Sequence, residues 1–159
     1  MSFRSTRLWI AFTLGILVSA NQLFTQIKEI DSLKMLVATE SGTQKIDALN
    51  ALSFRLVLVD FNLAEEPIQE AFKLSKQLNY TRGLAEANVY SGMIETFKGN
   101  RRSFELLKIG EAQAKQVGLP GLQGLALLHI GLGYRSLGKY DSAGLAYDRS
   151  EERRVGKEC

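Results

Sequence analysis

The chain has one cysteine, one histidine, two prolines and one tryptophan in 159 residues. One His and one Cys cannot supply the three or four ligands of a zinc site, so no metal centre is expected. A lone thiol closes no internal disulfide, which removes the disulfide-stapled class. Two prolines point away from a loop-rich all-β protein. Hydrophobic residues make up 45% and charged residues 23%, globular values that exclude disordered and collagen-like chains. The length suits one ordinary domain, or three to four repeat units of about 40 residues.

The sequence also lacks a strongly charged body. Its pI of about 9.0 comes from the two ends. Arg4 and Arg7 stand without an acid in residues 1–20, and residues 149–159 carry four bases against three acids. The 14 Lys+Arg of residues 21–148 are matched by 14 Asp+Glu, so no polyphosphate footprint is present and no nucleic-acid partner is expected.

Arg4 and Arg7 precede an almost unbroken apolar run, Leu8 to Val18, which ends in Val18-Ser19-Ala20. A basic start, a short apolar stretch and small residues before Asn21 make the pattern of a signal peptide over residues 1–20. An uncleaved anchor is the competing reading, but Leu8 to Ala20 is short of the roughly 20 residues a bilayer needs. Export to a periplasmic space, or to the outer face of the inner membrane, is the expected localisation. Trp9 belongs to this segment and is no candidate for ligand stacking.

At the other end, Arg149 to Cys159 reads RSEERRVGKEC, charged and without the apolar period that precedes it. A charged tail is one reading. The string is also identical to one-frame translation of a common sequencing-library adapter. On that second reading native sequence stops near Asp148, the natural chain runs on, and Cys159 carries no biology.

Between residues 42 and 148 apolar positions recur at helical spacing, with Gly99-Asn100 and Gly138-Lys139 as punctuation. The segment is self-similar. Ala48, Ala87 and Ala126 are spaced by 39, as are Ser53, Gly92 and Gly131. On the second helix of each unit, Ala64, Ser103 and Ala143 are each followed four residues later by a large residue, Ile68, Leu107 and Tyr147. Units one and two add a further small residue, Ala71 and Gly110. Antiparallel helices approach closely only where one side chain is small and a large neighbour fills the hole one turn away. The spacing predicts a helix over 25–38, then helix pairs over 43–59 with 63–79, 82–98 with 101–117, and 121–137 with 141 onward. Asn62 with Glu65, and Asp141, are read as helix N-caps.

This pattern resembles the tetratricopeptide repeat, most closely in unit three through Ile130-Gly131, Tyr134, Gly138, Tyr140, Ala143 and Tyr147. Unit two keeps Gly92 and Gly99 but has Glu95 at the usual aromatic position, and unit one is the weakest match. The 39-residue period resembles the long-helix variant of the family. The resemblance implies an all-α, right-handed α-α superhelical solenoid with units at 42–80, 81–119 and 120–148, preceded by a helix or linker at 21–41. It implies groove positions at Asp47, Asn50, Phe54, Val57 and Leu58 in unit one. In unit two they are Glu86, Val89, Met93, Thr96 and Phe97, and in unit three Leu125, Leu128, Leu132, Arg135 and Ser136. The candidate partner-binding set is Asn50, Phe54, Val57, Val89, Met93, Phe97, Leu128, Leu132 and Arg135. Its apolar character suits an amphipathic helix or a hydrophobic extended segment. A competing reading packs several of these residues against the N-terminal helix.

Other chemistry is thin. Gly133 to Lys139 matches the first seven positions of a phosphate-binding loop, but Tyr140 stands where Ser or Thr is required and no strand precedes it. His129 has no adjacent nucleophile and reads as a packed side chain. Asn79-Tyr80-Thr81 fits the glycosylation triplet by composition alone. The carboxylates form no catalytic pair, so neither an enzyme nor a cofactor site is expected in the residues present. The expected function is binding of a protein or peptide. The alternative is the sensory region of a membrane-bound signalling protein whose output half, a histidine kinase or DNA-binding region, lies downstream. A third unit ending near Asp148 would also leave Gly121–Leu137 with a bare apolar face, which predicts fraying or self-association.

Overall fold

The computed structural model describes residues 25–155, so residues 1–24, with the signal peptide expected over residues 1–20, and residues 156–159 lie outside the described residues. Among the described residues the protein is all-α, without a strand. Helix α1 covers residues 25–39. Then follow α2 (Gly42–Val59), α3 (Glu65–Gln77), α4 (Thr81–Phe97), α5 (Arg102–Gln116), α6 (Pro120–Ser136) and α7 (Tyr140–Val155). Helix ends fall within two residues of the bounds read from the apolar period.

Four of the connections share one device. Asn79, Gly99, Gly118 and Gly138 all have positive φ, at 50°, 71°, 70° and 70°. In each case the next residue donates its N–H back across the turn to the helix: Tyr80 to the Ser75 carbonyl at 2.9 Å, Asn100 to Glu95 at 2.8 Å, Leu119 to Ala114 at 2.8 Å, and Lys139 to Tyr134 at 3.0 Å. A left-handed residue lets the chain turn back on itself, and the returning N–H satisfies a terminal carbonyl. Asn79 and Gly118 are 39 apart, as are Gly99 and Gly138. Pro120 opens α6 where its missing N–H costs nothing.

The turn between α2 and α3 departs from this pattern. It has no glycine, and Asp60 is extended. The Asp60 carboxylate accepts both the Asn62 backbone N–H and the Asn62 side-chain amide at 2.9 Å. Asn62 is thus spent on Asp60 and does not cap α3, whose N-cap is Ala64 without a side-chain bond. Asp141 likewise does not precede α7 but sits inside its first turn.

Helices α2, α4 and α6 lie side by side, and each packs on the helix that follows it. The backbones of α3, α5 and α7 do not approach one another closely. This arrangement is consistent with a helical repeat. The small–large pairing holds at atomic level: a Cβ on Gly92 would stand 2.6 Å from Leu107 Cγ, and one on Gly131 would strike the Tyr147 ring. Ser53 and Ile68, their counterparts in unit one, are both buried. Helix α1 lays Ile30, Leu33 and Val37 on the same core, and Glu29 pairs with Arg55 of α2 at 2.6 Å.

Helix α7 runs past Asp148: it has 16 residues and lies along α6. Ser150 is buried, and its hydroxyl donates to the Gly124 carbonyl at 2.8 Å. Ser150 stands seven residues after Ala143, as Ala71 and Gly110 stand after Ala64 and Ser103, so unit three has the same run of small positions. Arg149 reaches Glu111 of α5 at 3.1 Å. Of the face expected to be bare, Leu125 and Leu132 are half-buried and Leu128 remains exposed.

Candidate functional site

Helix α4 touches α2, α3, α5 and α6, and contact on so many sides decides where the groove residues fall. Asn50, Val57, Val89 and Met93 are buried, so in this structure they belong to the interior and offer no surface to a partner. Val89 lies directly under Gly110 of α5. Phe54 and Leu132 are half-buried, while Phe97, Leu128 and Arg135 are exposed. Of the flanking positions, Asp47, Leu58 and Ser136 are exposed and Glu86, Thr96 and Leu125 half-buried.

The exposed part centres on three rings. Phe61, in the turn after α2, stacks on Phe97 at 6.2 Å and 18°. Phe97 in turn meets His129 of α6 edge-on at 5.6 Å and 82°. Phe97 is 49% exposed, and Leu58, 39 residues earlier in the repeat, is 58% exposed. His129 is buried beneath them, with its Nδ1 lacking a hydrogen-bond partner.

Burial pushes the His129 imidazole down to about 4, against an ordinary value of 6.5. The unfolded chain takes up this proton below about 6.5, whereas the folded chain refuses it until about 4. The folded state therefore loses stability as pH falls through that window and bears no such penalty above it. The full loss is about 3 kcal/mol. His129→Leu should flatten the fall in urea midpoint between about pH 7 and pH 4.5. An unchanged fall would mean that His129 is open to protons in the folded protein.

A polar cluster lies at the other end of the same helices. Tyr80 donates to the Asp47 carboxylate at 2.9 Å, and Arg82 to Glu86 at 3.2 Å. The Asn50 amide donates to the Gly83 carbonyl at 3.1 Å and to Glu86 at 3.2 Å. Burial raises the Glu86 pKa, and the Arg82 bond only partly offsets it. Burial with the Asp47 bond pushes Tyr80 up to about 12. These groups are spent on one another, which suits fastening α2 to α4 rather than moving a proton.

Among the described residues no three His, Cys, Asp or Glu are placed to hold a metal ion. The phosphate-loop lookalike is no loop: Gly133 to Ser136 belong to α6, and Gly138 makes the following turn. No protein-family model, curated protein or solved structure matches this chain.

One feature was missed by the sequence reading. Between α3, α4 and α5 lies a cleft of about 220 Å³, with Ile68, Phe72, Ile94 and Leu106 as apolar walls and Glu65, Asn88, Glu95 and Arg102 among its polar lining. Lys98 bridges its carboxylates, 2.6 Å from Glu65 and 3.9 Å from Glu95. The signal for it was present in the repeat. Glu65 and Glu95 stand 39 residues before Phe104 and Tyr134.

Proposed function

We propose that this chain is a tetratricopeptide-like binding scaffold, its helix pairs wound as a right-handed superhelical solenoid, that takes a protein or peptide segment along the face formed by α2, α4 and α6. The observation that carries this reading is the exposed Phe97 at the centre of the Phe61–Phe97–His129 rings, with Leu58 of α2 and Leu128 of α6 also exposed. Exposed apolar side chains on neighbouring helices are a docking feature, because each forgoes burial that an incoming side chain restores. The patch is small, which suits a segment presenting two or three apolar anchors one helical turn apart. The Arg4/Arg7 start and the apolar run after it support action outside the cytoplasm.

A phage-displayed library of 12-residue peptides tests this on the full chain. Selected peptides should carry apolar anchors at helical or alternating spacing. Phe97→Asp should weaken their binding about tenfold or more while leaving the helical circular dichroism unchanged. Absence of enrichment, or peptides indifferent to Phe97→Asp, would count against the reading.

A further inference from the structure

The cleft between α3 and α5 exists because of two substitutions within the repeat. In the equivalent place one unit later, Phe104 and Tyr134 pack ring to ring at 4.9 Å and fill the space between α5 and α6. Gly133 makes room for them, since a Cβ there would stand 2.9 Å from the Phe104 ring. Thirty-nine residues earlier the three positions are Glu65, Glu95 and Ile94. Two carboxylates replace two rings, and the space they leave is the cleft of about 220 Å³. A cavity of about 150 Å³ accepts benzene, so this one has room for a ligand of roughly ten non-hydrogen atoms.

Its polar groups are unevenly spent. The Lys98 ammonium belongs to Glu65 at 2.6 Å and leaves Glu95 with only a 3.9 Å contact. The Glu95 side chain is only 20% exposed, and Lys98 at 3.9 Å is its nearest ion-pair partner. Arg102 lines the cleft and has no ion pair among the described residues. Asn88 is buried and spends its amide N–H on Gln113 at 2.8 Å, which leaves its carbonyl oxygen for whatever enters. Glu95, Arg102 and the Asn88 carbonyl, with the neutral Gln69 and Ser91, thus stand around apolar walls of Ile68, Phe72, Ile94 and Leu106.

This set of groups selects a ligand by charge. A carboxylic acid would pair with Arg102 and leave Glu95 bare; an amine would do the reverse. A peptide segment would bring neutral amides to both. A small zwitterion with an apolar body satisfies all of them at once. We propose that the cleft binds a free α-amino acid with an apolar side chain of leucine to phenylalanine size. Its ammonium lies on Glu95 and the Asn88 carbonyl, its carboxylate on Arg102 and its side chain against Phe72 and Ile94. This site is separate from the α2–α4–α6 face and does not depend on peptide binding there.

Calorimetric titration of the full chain with L-leucine and L-phenylalanine is the test, with N-acetyl-leucinamide, isoamylamine and isocaproate as probes lacking one or both charges. The free amino acids should saturate, and each probe should bind about tenfold more weakly or worse. Arg102→Gln and Glu95→Gln should each weaken leucine binding about tenfold at an unchanged melting temperature. The triple change Glu65→Phe, Ile94→Gly and Glu95→Tyr, which copies the filling of the next cleft, should abolish binding in a protein that keeps its helical circular dichroism. Phe97→Asp should leave leucine binding intact, which keeps this site's failure distinct from failure of the peptide face. The proposal is overturned if no amino acid saturates a folded protein by about 10 mM, if N-acetyl-leucinamide binds as well as leucine, or if Arg102→Gln changes nothing.

Discussion

Leu107→Ala should lower the unfolding free energy by about 3–4 kcal/mol and the melting temperature by about 10–15 °C. Leu107 is wholly buried on α5 and fills the notch opposite Gly92 of α4, where its Cγ stands 2.6 Å and its Cδ2 2.8 Å from where a Gly92 Cβ would be. Truncation removes both the burial of the isobutyl group and the contacts that line it, and two rigid helices cannot collapse into the gap. Gly92→Ala alone should cost about 1–3 kcal/mol, because the new methyl meets a side chain already seated there. The two changes are complementary in volume, so the double variant should be more stable than the sum of the single losses predicts, by about 1 kcal/mol or more. Urea unfolding of the four proteins measures this. Simple additivity would mean that the α4–α5 seam adjusts freely and that Gly92 is not there to admit Leu107.

Gly110→Ala and Gly144→Ala should move stability in opposite directions. Both glycines lie within helices, α5 and α7, where alanine is ordinarily favoured by about 1 kcal/mol. At Gly144 a Cβ meets nothing within 4 Å, so the ordinary gain should appear, about 0.5–1 kcal/mol. At Gly110 the same methyl would stand 2.6 Å from Val89 Cγ2, 2.9 Å from the Val89 nitrogen and 3.2 Å from the Ala85 carbonyl oxygen. Two of those atoms are backbone of α4 and cannot rotate away, so α5 must lift off α4. The expected net loss is about 2–3 kcal/mol, overpacking having outweighed propensity. Thermal melts of the two variants check the pair. A stabilised Gly110→Ala would mean that α4 and α5 do not approach this closely in solution.

These contrasts show what kind of information each level carries. Helix positions were legible because they rest on local facts: the apolar period and left-handed residues at Asn79, Gly99, Gly118 and Gly138, each closing its helix by a bond a few residues long. The small and large positions were legible too, since Gly92 and Gly131 recur 39 residues apart and Leu107 and Tyr147 recur 40 apart, whereas which small residue faces which large one across the helices came from the structure. Asn62 was misread because Asn bonds equally well to a helix N–H or to Asp60, and only the shape of the turn decides between them.

Which of the groove residues reach water was not legible. Val57, Val89 and Met93 match Phe97 in apolar character, and the difference lies in how many helices press on each side of α2 and α4. Ser150 was set aside with a charged stretch, yet one buried hydroxyl on Gly124 sits at the small position of unit three. The cleft shows the limit most clearly. Glu65 and Glu95 are 30 residues apart in sequence, and neither is unusual alone. Local sequence determined the helices, their turns and their pairing, because those depend on bonds and contacts within one repeat. The tertiary structure decided which apolar side chains stay exposed and which polar groups meet across α3, α4 and α5, because burial and charge pairing depend on neighbours supplied by other units.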